Sequence, residues 1–196
     1  MIFTKTSLSG ATVVDVERRE DARGYFGRTY CEREFEANGL PSRMVQSNLS
    51  LTQRAGTLRG MHAQSAPYAE DKLVRCARGA IWDAIVDLRA ESATYCQWLG
   101  VELSEANGRM LLVPKGFAHG YVTLTDDAAV HYQVSEFYAP QAEWGARHDD
   151  PAFAIKWPVA VLYLSDKDRG WPDFVRLESP DPLWPEHSQA RKENNL

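Results

Sequence analysis

The 196-residue sequence has few features of a secreted or membrane-bound protein. It contains three cysteines, Cys31, Cys76 and Cys96, and no C-x-x-C pair. An odd number of widely spaced cysteines is typical of reduced thiols in a cytoplasmic protein. No segment approaches the roughly 20 apolar residues of a membrane helix, and the first residues lack the apolar run of a signal peptide. We therefore expect a soluble, cytoplasmic protein with no membrane partner.

The sequence also lacks a basic charge excess, internal repeats and low-complexity segments. Its 22 Lys and Arg are outnumbered by 27 Asp and Glu, which gives a net charge of -5. This balance argues against nucleic acid as a partner. It is compatible with an anionic small ligand, because a few cationic side chains can gather in one cleft. With this length and 44% hydrophobic residues, we expect one domain over residues 1–196.

Short apolar segments, spaced about ten residues apart, are the main pattern that is present. They predict strands from Val13 to Phe137 with little helix between them, and a hairpin of 121–124 with 129–137. One short helix is predicted over 32–38, ended by Gly39. This pattern favours a mainly β fold, an antiparallel sandwich or barrel.

The composition changes after Trp157-Pro158, where five prolines make long regular elements unfavourable. We expect this C-terminal part to cover the barrel, to contain a short helix, and to fray over His187–Leu196.

A candidate base and a candidate cation lie close together in Arg59-Gly-Met-His62 and Lys72. A histidine can accept a proton near neutral pH, and an ammonium can stabilise an enolate. Removal of a proton next to a carbonyl needs both functions. The alternative is a histidine satisfied within a core and a lysine on the surface.

A second motif, Pro114-Lys-Gly-Phe-Ala-His119-Gly, is similar to half of the cupin signature, in which a turn delivers a histidine into a barrel. A metal-binding cupin usually has a His-x-His in its first half, but this sequence reads His62-Ala-Gln64. We therefore expect no metal site, and organic roles for His62 and His119.

Several further segments follow in a fixed order. They are Asp21-Ala-Arg23-Gly24-Tyr-Phe26, Gln46-Ser-Asn48-Leu-Ser50, Leu58-Arg59-Gly60-Met-His62, Lys72-Leu-Val-Arg-Cys76, Asp83-Ala-Ile-Val-Asp87-Leu-Arg89, Leu103-Ser104, Pro114 to Gly120, Tyr132, Tyr138-Ala-Pro140, Trp157-Pro158 and Ser165-Asp-Lys-Asp168. Together they resemble the dTDP-4-dehydrorhamnose 3,5-epimerase family over about residues 21–168. The resemblance implies a cupin-type antiparallel β-barrel, or jelly roll.

The resemblance also implies a reaction. Members of this family invert the centres that flank the 4-keto group of a nucleotide-linked 6-deoxyhexose, without a cofactor. His62 matches the base, Asp168 its carboxylate partner, Lys72 the cation near the keto oxygen, and Tyr132 the acid on the opposite face. Without the family, Asp168 would be an exposed turn residue and Tyr132 a packing residue. Asp83 is a second carboxylate that we expect near His62 or Lys72.

Other matching residues are implied to bind the nucleotide sugar. They are Arg23, Phe26, Gln46, Asn48, Ser50, Arg59 and His119, and Tyr138 is expected to stack on or line the nucleotide side. Arg23 and Arg59 suit diphosphate oxygens, because a guanidinium binds phosphate in a bidentate manner. Arg23 and Phe26 are expected to reach the site of a neighbouring subunit, which implies a homodimer with an exchanged N-terminal strand.

Two positions depart from the family pattern. Arg28 stands where the family usually has an acidic residue, and Ala63 stands where it has a bulky aromatic. Both changes are expected near the substrate pocket, where Arg28 would contact the nucleotide. They leave open a C3-only or C5-only epimerase that acts on a related sugar nucleotide. Two rival functions are a non-catalytic sugar-binding cupin and a metal-dependent cupin oxygenase.

Overall fold

A computed structural model describes residues 1–176 of the chain. Thirteen strands and two short α-helices form within this range. They are β1 (Ile2–Lys5), β2 (Thr12–Asp15), β3 (Arg19–Asp21), β4 (Gly24–Phe26), α1 (Glu32–Ala37), β5 (Gln46–Thr52), β6 (Leu58–Gln64), β7 (Lys72–Arg78), β8 (Ala80–Asp87), β9 (Trp98–Ser104), β10 (Met110–Val113), β11 (Phe117–Thr123), β12 (Ala128–Val134), β13 (Glu143–Gly145) and α2 (Asp166–Arg169). A 3-10 helix, Pro140–Ala142, precedes β13.

The strands form two antiparallel sheets that face each other. The six-stranded sheet has the order β1-β2-β10-β7-β12-β5, and the five-stranded sheet has the order β13-β6-β11-β8-β9. Strands β3 and β4 form a separate hairpin. The mainly β jelly roll expected from the sequence is confirmed, although hydrogen bonds run within each sheet and do not close a barrel between them.

Apolar side chains from both sheets meet between them. Val74 and Val130 of one sheet pack with Ile81, Ile85 and Tyr121 of the other, and all five are buried. Alternation along each strand turns every second residue inward. This inner core fills one end of the space between the sheets.

Two further apolar clusters cover the outer faces. Phe35 of α1 is fully buried against Leu73 and Leu112 of the six-stranded sheet. The predicted short helix is therefore confirmed, and it ends before Gly39, whose φ of 68° lies in the left-handed region that glycine favours. The other sheet is covered by an aromatic-rich cluster that includes Phe153 and Trp157. Each outer face is thus partly covered, while Leu49 and Leu51 of β5 stay exposed.

The predicted hairpin between 121–124 and 129–137 is wrong. Strand β11 pairs with β6 and β8, whereas β12 pairs with β5 and β7. The turn between them carries the chain from one sheet to the other, with the Asp127 N–H donating to the Gln53 carbonyl. Alternation identifies the buried face of a strand but not its partner, so the sequence could not distinguish a hairpin from a crossing.

The C-terminal part begins as predicted, with irregular chain after Trp157 and the short helix α2. The fraying expected for 187–196 lies outside the described residues. Within residues 1–176, no helix has both the length and the apolar character that crossing a membrane requires.

Candidate active site

A cavity of about 750 Å³ opens between the two sheets. Such a volume suits a small-molecule ligand. Its walls are the cavity-facing sides of β5, β6, β7, β11 and β12, together with the segment from Tyr163 to Asp168. Ten of the thirteen residues predicted from the sequence line it: Gln46, Asn48, Ser50, Arg59, His62, Lys72, His119, Tyr132, Tyr138 and Asp168.

The His62 and Asp168 side chains form a close pair on the five-stranded wall. The Nε2 atom of His62 lies 2.5 Å from Oδ1 of Asp168, whose residue is 4% exposed. Burial alone would raise the pKa of Asp168, but the His62 ring and the Gly60 N–H hold it below its usual value. A buried, ionised carboxylate fixes the tautomer and orientation of the imidazole. The alternative of an exposed turn aspartate is excluded.

The segment before α2 brings Asp168 to the wall. The Leu58 N–H donates to the Tyr163 carbonyl over 2.9 Å, at the start of the strand that carries His62. Two residues later Ser165 begins α2, and its hydroxyl accepts from the Asp168 N–H. The hydrogen bond between Leu58 and Tyr163 thus joins the C-terminal segment to the start of β6, and the cap at Ser165 then places Asp168 beside His62 on the same strand.

Gly60 permits the close approach of the neighbouring strand. Its φ of +130° is strained for a side chain, and an added Cβ would lie 2.4 Å from the Gly120 Cα. Its N–H also points at Oδ2 of Asp168 over 3.4 Å. The glycine two positions before His62 is thus a requirement of packing beside the histidine.

Tyr132 and Lys72 occupy the opposite, six-stranded wall. Tyr132 pairs with Val74 and Val134 pairs with Lys72 in the β12–β7 register, so Tyr132 and Lys72 are diagonal neighbours on one face. The Lys72 side chain is 13% exposed and lies 3.1 Å from a carboxylate oxygen of Glu70, which excludes the surface-lysine alternative. Burial, followed by the charge of Glu70, raises the pKa of Tyr132, so its phenol keeps its proton.

A second histidine–carboxylate pair lies beside the first. His119 stands directly opposite His62 in the β11–β6 register, and its Nε2 lies 2.8 Å from Oδ1 of Asp83. Asp83 was expected near His62 or Lys72, and its bond is to His119, the residue that stands opposite His62. The β8–β11 pairing places Asp83 diagonally from His119, a relation that strand spacing alone does not reveal.

Polar side chains at one end of the cavity form a small network. Glu143 accepts hydrogen bonds from the Tyr138 hydroxyl at 3.0 Å and from Lys167 at 2.5 Å. Burial would raise the pKa of Glu143, but Lys167, Tyr138 and the nearby His62 hold it below its usual value. Tyr138 therefore belongs to a network that joins β13 to α2.

The remaining predicted binding residues line the cavity from β5 and β6. Gln46, Asn48 and Ser50 share one face of β5, and the Gln46 amide donates to Asn48 over 3.0 Å. Arg59 donates from Nε to the Thr52 hydroxyl, which holds its stem beside the cavity. Gln64 is different, because it hydrogen-bonds to the main chain at Tyr68 and Ala139. Gln64, at the position where a metal-binding cupin has a ligand, therefore holds the main chain of the neighbouring segments in place.

Three predicted residues do not line the cavity of their own chain. Arg23 pairs with Asp21 in the β3–β4 hairpin, and Phe26 is 68% exposed on the same hairpin. Arg28 pairs with Glu34 of α1 over 2.6 Å. Of the two departures from the family pattern, Ala63 lies at the cavity and Arg28 does not, so the prediction that Arg28 lies beside the pocket is not met within one chain.

The cavity residues that were not singled out from the sequence include Glu70, Tyr121, Glu143 and Lys167. Glu70 and Lys167 stand within two residues of Lys72 and Asp168 and carry charge, so their position was a usable signal. Tyr121 and Glu143 gave no signal, because only the pairing of their strands places them at the cavity.

The jelly roll and its facing histidine and tyrosine define a class, the carbohydrate epimerases that move protons beside a carbonyl. A family model described as dTDP-4-dehydrorhamnose 3,5-epimerase matches residues 5–176. The chain therefore belongs to the dTDP-4-dehydrorhamnose 3,5-epimerase family.

Individual relatives agree with this assignment. The chain is 46% identical to a dTDP-4-dehydrorhamnose 3,5-epimerase of Methanothermobacter thermautotrophicus, over 86% of this chain and 92% of that protein. It is 38% identical to a dTDP-4-dehydrorhamnose 3-epimerase of Streptomyces niveus, over 83% and 78%. The crystal structure of the Bacillus anthracis 3,5-epimerase, with TDP and PPi bound, superposes with a TM-score of 0.85 at 42% identity and covers 88% of this chain and 99% of that one.

Proposed function

We propose that this protein converts dTDP-4-dehydro-6-deoxyglucose to dTDP-4-dehydrorhamnose by inverting C3 and C5 through enolate intermediates. The observation that carries the proposal is the placement of His62 and Tyr132 on opposite walls of one cavity. Inversion requires that a proton leave from one face of the sugar ring and return to the other. Two facing walls provide this arrangement.

His62 is the base of the first step. Its Nε2 is engaged with Asp168, which leaves Nδ1 to accept the carbon-bound proton. The resulting imidazolium is stabilised by the buried Asp168 carboxylate. Because both neighbours of the 4-keto carbon are acidified by the same carbonyl, one base serves C3 and C5 in turn.

Lys72 stabilises the enolate that forms. Its ammonium is largely removed from solvent, and a charge in a site of low dielectric stabilises an oxyanion more strongly than it would in water. The Glu70 carboxylate holds the ammonium in place, so the lysine must exchange part of this contact for the substrate oxygen.

Tyr132 returns a proton from the opposite wall. Its raised pKa keeps the hydroxyl protonated until the carbanion is ready to accept. The phenolate that remains lies near the cations Lys72 and Arg59. Before the second inversion the phenolate takes a proton from solvent and the His62 imidazolium releases its proton to solvent.

The nucleotide diphosphate is held in the same cavity, beside Arg59 and the polar residues of β5. Arg59 forks onto phosphate oxygens, the amides of β5 contact polar groups of the ligand, and Tyr138 lines the nucleotide side. The bound TDP of the Bacillus anthracis relative supports a thymidine nucleotide.

The active unit in this proposal is a cytoplasmic homodimer of single-domain subunits, in which the β3–β4 hairpin of one reaches the cavity of the other. Arg23 and Phe26 are exposed on that hairpin, and an unburied aromatic supports a partner surface. The free thiols fit a reducing compartment.

Mixing inactive subunits tests whether the β3–β4 hairpin of one subunit completes the site of the other. If His62→Asn and Arg23→Ala variants are unfolded and refolded together, heterodimers contain one intact site, and about one quarter of the wild-type activity returns. If the activity of the mixture is no greater than the summed activities of the two variants, the proposed contribution of the hairpin to the partner's site is contradicted.

A C3-only reaction is the second candidate, because a 3-epimerase is 38% identical to this chain. Deuterium incorporation from heavy water separates the two. Label at both C3 and C5 of the product supports the double inversion, and label at C3 alone replaces it with the single one.

A further inference from the structure

Asp83 is a buried carboxylate with an unusual lack of partners. Its residue is 0% exposed, its Oδ1 contacts His119, and its Oδ2 has no hydrogen-bond partner among the described residues. A buried polar atom without a partner destabilises a folded protein. The position therefore carries a cost that packing does not explain.

Asp87, four residues along the same strand, shows what a structural carboxylate looks like in this fold. It is also 0% exposed, and its two oxygens accept from Arg89, Ser92 and Thr94. All of these partners belong to the turn that follows β8. Asp83 has no comparable network, and its one partner is a side chain that lines the cavity.

The Asp83–His119 pair repeats the geometry of the His62–Asp168 pair. The two histidines are directly opposite each other on β6 and β11, and each contacts its carboxylate through Nε2. Since a carboxylate can only accept, Nε2 of His119 carries the hydrogen of this bond. The remaining ring nitrogen, Nδ1, has no partner within residues 1–176 and is the atom left for a ligand.

We propose that Asp83 is a positioning residue that acts through His119, by fixing the ring orientation and the Nε2–H tautomer. Nδ1 is then an acceptor, and it accepts a hydrogen bond from a sugar hydroxyl next to the reacting carbon. This hydroxyl contact holds the ring of the sugar in register with His62. That the ligand of His119 is a sugar rests on the proposed epimerase function, whereas the tautomer of the His119 ring does not.

Asp83→Ala tests the proposal by removing the acceptor that holds Nε2–H. Without that acceptor, no described residue fixes the orientation or the tautomer of the His119 ring, so some of the rings present a donor where the sugar hydroxyl needs an acceptor. We expect kcat/KM to fall roughly 10- to 100-fold, with the loss in kcat exceeding that in KM because the sugar is misaligned. Asp87→Ala is the matched control: Asp87 has the same burial on the same strand, and its loss is expected to lower the melting temperature while leaving kcat/KM within about twofold.

A double-variant cycle separates positioning from a general effect on the fold. If Asp83 acts only through His119, then Asp83→Ala combined with His119→Asn is no slower than His119→Asn alone. Losses that multiply would overturn the proposal. An unchanged kcat/KM in Asp83→Ala, whatever its melting temperature, would overturn it as well.

The tautomer itself has a readout that does not depend on turnover. Nitrogen-15 chemical shifts of the His119 ring distinguish Nε2–H from Nδ1–H. We expect Nε2–H alone in the wild type and a mixture of the two in Asp83→Ala. An Nδ1–H tautomer in the wild type would overturn the proposal even if the enzyme is active. Conversely, a wild type that exchanges no substrate protons removes the proposed function, while the shift measurement still decides the role of Asp83.

Discussion

Replacing Asp168 by asparagine should remove most of the activity without unfolding the protein. The 2.5 Å contact to His62 is charge-assisted and buried, and the lost stabilisation of the imidazolium can be bounded in two ways. A hydrogen bond to a charged group contributes about 1.5–3 kcal/mol, and a broken buried ion pair costs about 3–5 kcal/mol. Since about 1.4 kcal/mol corresponds to tenfold in rate, the range of about 1.5–5 kcal/mol predicts that kcat falls by roughly 10-fold to 4,000-fold.

The assay is the loss of substrate C3 deuterium into water, which follows the first proton abstraction and does not require product release. Asp166→Asn is the control, because Asp166 has the same side chain in the same helix but is exposed. It should exchange at the wild-type rate. If both variants slow equally, the effect comes from the helix and not from the pair. If Asp168→Asn exchanges within about threefold of wild type, His62 does not depend on Asp168 and the dyad reasoning is refuted.

Three further outcomes are expected. Glu70→Gln should move the alkaline limb of the kcat profile to lower pH, because the Glu70 charge, after burial, raises the pKa of Tyr132; an unmoved limb would separate Tyr132 from proton return. Asp87→Asn should cost about 3 kcal/mol of unfolding free energy at pH 7. Burial would raise the pKa of Asp87, but Arg89, Ser92 and Thr94 hold it below its usual value, so its stabilisation is present above the unfolded pKa of about 3.9 and is lost as pH falls through the folded pKa. Urea unfolding at pH 7 and pH 3 should therefore show a smaller difference at pH 3, and an equal difference would contradict this linkage. Gly60→Ala should lower the melting temperature, because its Cβ would overlap the Gly120 backbone. Gly24→Ala controls for positive φ alone, because Gly24 has a similar φ of +124° and nothing lies within 4 Å of the added Cβ; equal losses would exclude the overlap as the cause.

Local patterns predicted the parts of this protein that depend on near neighbours in the chain. The helix before Gly39, the turn before Gly24 and the strand that begins at Lys72 are set by periodicity and turn residues. The association of His62 with Asp168 spans 106 positions, and only the resemblance to a family could suggest it before the fold was known.

What failed depended on which strand pairs with which. The hairpin prediction at Asp126 assumed that consecutive strands are neighbours, whereas β11 and β12 belong to different sheets. The bond of Asp83 to His119 could not be predicted for the same reason, because hydrophobic alternation carries no information on the partner strand. The charges of Glu70 and Lys167 were visible in the sequence, but their contacts with Lys72 and Glu143 were not.

Because the chain crosses between sheets from β11 to β12, proton abstraction and proton return can be separated experimentally. A turn of a few residues separates the strand beside His62 from the strand that carries Tyr132, and it sends them to different sheets. Abstraction and return are therefore properties of two independent hydrogen-bonded ladders. A change confined to one ladder can leave the other working. A variant without the Tyr132 phenol would therefore still exchange substrate hydrogens with water, but it would release the sugar with its configuration unchanged.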